Sequence, residues 1–196
     1  MSEPITNILL VGVGGQGILL ASEILSEVAM IAGLDVKKSE IHGMSQRGGT
    51  VNSHIRFGPR VHSPIIPSGE AAFVLALEKL EGLRARPQLA RGGRLLVNDF
   101  RLEPTTVTTG KLTYPEDAIE QLRSEFNGQF VALDGPALSV KAGDLRTMNT
   151  VMLGALSTFL DFTAEQWEQA MQRHIKPKLL EINRSAFEMG RAGTAT

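Results

Sequence analysis

Asn7-Ile8-Leu9-Leu10-Val11, followed by Gly12-Val13-Gly14-Gly15-Gln16-Gly17 and then Ile18-Leu19-Leu20-Ala21-Ser22-Glu23-Ile24-Leu25, is the stretch from which the rest of the chain can be read. The first five residues form an apolar run, the pattern of a strand buried on both faces, and the last eight carry apolar residues at helical spacing. The glycines therefore lie in a strand-to-helix turn. There they permit a tight bend and close backbone approach, and the helix start offers N–H groups and the positive end of its dipole to an anion. Gly12, Gly14, Gly15, Gln16 and Gly17 are accordingly candidate residues beside a phosphate or carboxylate.

A glycine turn of this kind signals a dinucleotide only if a second strand ends in an acid that holds the ribose, and Glu40 stands at about the right distance for that role. The following residues fit it poorly. Instead of entering a second helix, the chain passes through His42-Gly43-Met44-Ser45-Gln46-Arg47-Gly48-Gly49 into an extended segment, Thr50 to Phe57. In that loop Arg47 either presents its planar fork of donors to an anion or pins the loop through a salt bridge, and Gly48 and Gly49 allow the backbone to come close. Glu40 has three readings: a ribose ligand, a partner for Arg47, or a residue facing another subunit. His42 is a candidate proton donor or acceptor, because imidazole titrates near neutrality. Gly43, Ser45 and Gln46 complete the candidate set here.

Val51 to Phe57 alternates, with Asn52, His54 and Arg56 on one side and Val51, Ser53, Ile55 and Phe57 on the other. A strand inside a parallel sheet would be apolar throughout, so this one is expected near an edge, its polar side turned to solvent, a ligand or a partner. Together with Gln46 to Gly49, a contact surface is the preferred reading. Pro59 to Gly69, with three prolines, is either an exposed functional loop or a connector.

Further apolar runs, Ala72 to Leu77, Arg94 to Asn98 and Phe130 to Asp134, alternate with helical patterns over Glu78 to Ala85 and Glu116 to Glu125, and Leu145 to Phe162 reads as a longer helix. This order predicts an α/β fold, a Rossmann-like three-layer arrangement with a mostly parallel sheet and a helical C-terminal third. Thr163-Ala164-Glu165 and Pro177 mark two more helix starts. The expected organisation is one domain over residues 1–190, with a frayed tail from Arg191 to Thr196.

Asn149 falls on an otherwise apolar helical face with Met152, Leu153 and Leu156. It must find partners, either by capping a neighbouring loop or by binding a ligand. Trp167, just after a helix start, is expected to pack in the core or at an interface, with ligand binding a lesser alternative. Ser45 lacks the final glycine of a nucleophile elbow, which argues against a hydrolase. The four histidines show no metal-binding spacing.

Twenty basic and twenty-one acidic residues give a net charge of −1, which does not suggest nucleic acid or an anionic membrane as a partner. No apolar run approaches a membrane span and the first residues lack a signal-peptide pattern, so a cytoplasmic location is expected. With no cysteine, the chain has no thiolates for an iron–sulfur cluster and no thiol nucleophile.

GVGGQG, the segment ending in Ser39-Glu40-Ile41, the octet HGMSQRGG and Val51-Asn52-Ser53-His54-Ile55-Arg56 resemble the small subunit of the indolepyruvate ferredoxin oxidoreductases. These are a branch of the gamma-subunit family of 2-oxoacid:ferredoxin oxidoreductases. The likeness continues through Ser63 to Ile66, Gly69 to Ala71, Glu78 to Arg84, Met148 to Ala155 and Pro177 to Arg184. The octet is its most specific part, and GVGGQG places only the broader family. The resemblance implies a subunit that is inactive alone and works with a large partner carrying thiamine diphosphate, Mg2+ and iron–sulfur clusters. In such a complex an aryl 2-oxoacid loses carbon dioxide, two electrons pass to ferredoxin, and coenzyme A takes the acyl group. Two other readings stay open: a self-sufficient dinucleotide-binding oxidoreductase, and a noncatalytic interaction subunit. A homodimer of the isolated chain is also open.

Overall fold

The computed structural model describes residues 5–43, 49–110, 113–126 and 128–194, without the side chains of Thr105 and Thr106. Its first strand, β1 (Thr6–Val13), is the reason Ile8 to Val11 are apolar without alternation. Ile8 and Leu10 face one hydrophobic core and Leu9 and Val11 a second, so neither side of the strand meets water. The glycine turn leads into α1 (Ile18–Ile31), whose buried residues join the first core.

β2 (Asp35–His42) and β3 (Thr50–Gly58) form a hairpin, and β4 (Ala71–Ala76), β5 (Leu89–Asn98) and β6 (Phe130–Leu133) complete one sheet in the order β2-β3-β1-β4-β5-β6. β1, β4, β5 and β6 are parallel neighbours, whereas β3 runs antiparallel to both β1 and β2. β3 therefore takes the place beside β1 that the second strand of a dinucleotide fold would occupy.

The second core lies on the side of α2 (Lys79–Arg84) and α4 (Ala118–Glu125). A short α3 (Thr105–Thr108) precedes α4. The C-terminal third folds as α5 (Gly135–Ala142), α6 (Met148–Ser157), α7 (Ala164–His174) and α8 (Pro177–Gly193). Thr163 and Gln166 form a reciprocal capping box at the start of α7, and Pro177 opens α8, as their residue types predict. Trp167 is buried among Phe162 and Phe187.

Three expectations need correction. The helix read over Leu145 to Phe162 is a short 3-10 turn, Leu145–Thr147, followed by α6, which ends at Ser157. There the hydroxyls of Ser157 and Thr158 take the carbonyls of Gly154 and Ala155, an alternative to continued helical pairing. Phe159 and Phe162 instead pack on Phe73 and Phe57. α8 continues through Arg191, at which the sequence places a frayed end, and Arg191 donates to the Ser157 hydroxyl at 2.9 Å.

The third correction concerns the polar side of β3, much of which is answered within the chain. The Arg56 guanidinium donates to Asn7 Oδ1 at 2.9 Å and to the carbonyls of Ser63 and Ile65 at 3.0 and 3.1 Å. His54 Nδ1 accepts the Ile66 N–H at 3.2 Å, and burial holds the imidazole pKa below its ordinary value. The Pro59 to Gly69 segment is thus a strap over this face, with Val61 and Ile66 buried. Asn52 remains half-buried.

Candidate functional site

The C-terminal ends of the parallel strands carry the glycine turn, and the register of β3 on β1 brings the second glycine segment to it. Val13 stands opposite Thr50, and the Gly14 N–H donates to the Gly49 carbonyl at 2.9 Å. At the other side of the hairpin base, the Gly43 N–H donates to the Thr50 carbonyl at 2.8 Å. The glycine turn and the base of the β2–β3 hairpin are therefore one structural unit. Met44, Ser45, Gln46, Arg47 and Gly48 lie outside the described residues.

Gln16 fills its own turn. Its Oε1 accepts the Val13 N–H and its Nε2 donates to the Leu77 carbonyl, both at 2.7 Å, so a group that glycine loops offer to phosphates is here taken by a side chain. Gly12 makes this possible, since a Cβ there would stand 2.7 Å from Gln16 Oε1. Gly17 adopts φ 77° at the start of α1. Its carbonyl accepts the Asn149 side-chain amide at 3.1 Å, a contact of the capping kind.

Gly15, Gln16, Gly17 and Asn149 line one side of a cleft of about 430 Å3. Leu20, Phe100, Leu102, Leu145, Leu179 and Ile182 make most of it apolar, and Arg146 brings a guanidinium to its rim. Arg146 pairs with Asp144, whose carboxyl it holds down at about 2.

Glu40 is on the edge strand, two strands from β1, and lies against α1: Ser22 Oγ is 3.4 Å away, Lys38 Nζ 3.0 Å and His42 Nε2 3.8 Å. β3 stands between Glu40 and the glycine turn, so the ribose geometry of a dinucleotide fold is absent. His42 sits exposed at the end of β2, at the hairpin base. Among the described residues no group of three or more His, Asp or Glu is placed to hold a metal ion, and no helix is long and apolar enough to cross a membrane.

The sequence reading passed over a cluster of buried acids just past β4. Glu78 and Glu81 are almost wholly buried, and burial pushes both carboxyls above the ordinary Glu value. Glu81 is paired with Arg84 at 2.6 Å, while Glu78 accepts from the Glu81 N–H, the Leu102 N–H and the Tyr114 hydroxyl. Their i,i+3 spacing reads as an ordinary solvated helix face; only the apolar run Ala72 to Leu77 before them points to burial.

The class these features define is an α/β subunit with a self-plugged glycine turn, joined to a glycine hairpin beside an apolar cleft. The family model described as pyruvate ferredoxin/flavodoxin oxidoreductase matches residues 7–193, and the chain belongs to that family. It is 39% identical over 188 residues to "Indolepyruvate oxidoreductase subunit IorB" of Pyrococcus horikoshii, covering 94% of this chain and 93% of the relative. The protein of the same description from Thermococcus kodakarensis is 38% identical, with the same coverage. Among solved structures, the gamma subunit of a keto/oxoacid ferredoxin oxidoreductase from Geobacter sulfurreducens superposes with a TM-score of 0.72 at 25% identity, over 97% of this chain and 98% of that one.

Proposed function

We propose that this chain is the small subunit of a cytoplasmic indolepyruvate:ferredoxin oxidoreductase, which converts an aryl 2-oxoacid and coenzyme A to acyl-coenzyme A and carbon dioxide while reducing ferredoxin. The observation that carries this reading is the 39% identity to the Pyrococcus horikoshii subunit along nearly the full length of both chains. Thiamine diphosphate, Mg2+ and iron–sulfur clusters supply the bond cleavage and the electron path from the large subunit; a chain without cysteine has no thiolates for the clusters.

The contribution of this chain is to bind and orient. The apolar cleft beside Gly15 to Gly17 suits an aryl group or the uncharged arm of coenzyme A, with the helix start favouring a negative end. The base of the β2–β3 hairpin is tied to the glycine turn through Gly49 and Gly14, which supports a role for the octet, with Arg47, at the contact with the large subunit. Arg47→Ala in the two-subunit complex tests this: assembly by size-exclusion chromatography is expected to persist while turnover falls. Lost assembly with normal specific activity of whatever complex remains would contradict it and leave a purely structural subunit.

A further inference from the structure

Glu78 is more buried than a helix cap requires. Two other caps of this chain, Asp134 and Thr163, serve their helices from exposed positions, whereas Glu78 has no accessible surface. A carboxylate is rarely buried without several partners, and those of Glu78 come from separate parts of the fold. Oε2 accepts the Glu81 N–H at 3.0 Å at the start of α2. Oε1 accepts the Leu102 N–H at 3.4 Å and the Tyr114 hydroxyl.

Leu102 and Tyr114 lie in the segment that follows β5, and its Phe100 and Leu102 form a wall of the cleft. Lys79 reinforces the attachment, its N–H donating to the Phe100 carbonyl at 3.2 Å and its Nζ lying 3.3 Å from Asp99. The residue before Glu78 is bonded to the glycine turn, which also lines the cleft, since the Leu77 carbonyl receives Gln16 Nε2. Leu77 and Glu78 thus tie the two together from adjacent positions, the main chain of one bonded to the glycine turn and the carboxyl of the other to the Leu102 and Tyr114 segment.

We infer that Glu78 is a positioning residue that fixes the Phe100–Leu102 wall against the glycine turn and so sets the width of the cleft for its ligand. This rests on the ligand role proposed above for the cleft. Tyr114→Phe tests it by removing one hydroxyl while keeping the ring, over which Arg101 stacks at 4.2 Å. Glu78→Gln is the second variant, keeping size and acceptor oxygen but not the charge.

In the isolated chain, NMR-detected amide exchange of Leu102 is expected to speed up about tenfold in Tyr114→Phe, the loss of one hydrogen bond to a buried charged group, with amides of β1 and α8 unchanged. In the complex with the large subunit, the KM for coenzyme A or for indolepyruvate is expected to rise about fivefold with kcat within about twofold, the pattern of lost ligand positioning. Glu78→Gln should move the same two readouts in the same direction. Unchanged Leu102 exchange in both variants, or exchange raised equally across β1 and α8, would overturn the role of Glu78 and leave the proposed function standing. Faster Leu102 exchange with both KM values unchanged would overturn the ligand role of the cleft, and the positioning role with it.

Discussion

The side-chain amide of Asn149, at the start of α6, donates to the carbonyl of Gly17 at 3.1 Å, joining residues 132 positions apart in the chain. A Cβ at Gly17 would stand 2.7 Å from the same amide nitrogen, and Gly17 has φ 77°. The glycine turn is therefore locked from two directions, by its backbone conformation and by a helix from the far end of the sequence.

Gly17→Ala is expected to cost about 1–2 kcal/mol from the left-handed backbone alone, with the clash added to it, and Asn149→Ala about 1 kcal/mol for the lost hydrogen bond. Denaturant unfolding of both single variants and the double variant checks the lock. The double variant should lose less than the sum, because removing the amide relieves the clash. Strict additivity would show that the two residues act independently.

Gln16 is a donor and an acceptor at once, so its replacements should differ in kind. Gln16→Leu strands the Val13 N–H and the Leu77 carbonyl and is expected to cost about 2 kcal/mol. Gln16→Glu keeps the acceptor but needs a proton to donate to Leu77, which raises the folded pKa of the introduced carboxyl. Its added stability is full below the ordinary Glu value and is lost as pH rises through the raised value. Unfolding of Gln16→Glu at pH 4 and pH 7, each referred to the wild type, measures this; an equal deficit at both would refute the plug.

α6 and α8 cross at two glycines. A Cβ on Gly154 would run into the Phe187 carbonyl and one on Gly190 into the Val151 carbonyl. Helix propensity alone favours alanine at either position by about 1 kcal/mol. The close approach predicts the opposite sign, a loss of about 1–3 kcal/mol for each alanine as the helices are forced apart. Thermal unfolding decides between them.

α1 and α7 are clamped by Glu27, which pairs with Arg173 and, at 3.2 Å, with His174. The Arg173 hydrogen bond is the main cause holding the Glu27 carboxyl below its ordinary value, against the opposing effect of burial. A lowered folded pKa contributes stability that is present above the unfolded value near 4.5 and lost as pH falls through the folded one. Glu27→Gln should therefore be less stable than wild type at pH 6 by about 1 kcal/mol, a surface-type pair being worth no more. The gap should narrow toward pH 3; a constant gap from pH 6 to pH 3 would contradict the assignment.

What the sequence made legible is what local pattern encodes. The strand–turn–helix from Asn7 to Leu25, the alternation of apolar runs with helices, the cap at Thr163 and the start at Pro177 all follow from spacing and residue type. The polar side of β3 was legible as polar, but not as answered: its partners are backbone carbonyls and an N–H of the Pro59 to Gly69 strap, which no side-chain pattern announces. Gln16 reads as one more position in a glycine motif until folding brings Leu77 beside it. Glu78 and Glu81 look like a solvated helix face because burial is a property of the sheet and the Tyr114 segment above them. Gly154 and Gly190 show their purpose only once α6 and α8 are in contact.

The most direct test of the account is ferredoxin reduction in the presence of indolepyruvate and coenzyme A, measured for this chain alone and after co-expression with its candidate large subunit. The account predicts no reduction by the chain alone and ferredoxin-linked turnover, with acyl-coenzyme A formed, by the purified two-chain complex. An assembled, cofactor-loaded complex that fails to turn over, together with tight binding of NAD(H) by the isolated chain, would contradict it and point to a self-sufficient dinucleotide enzyme.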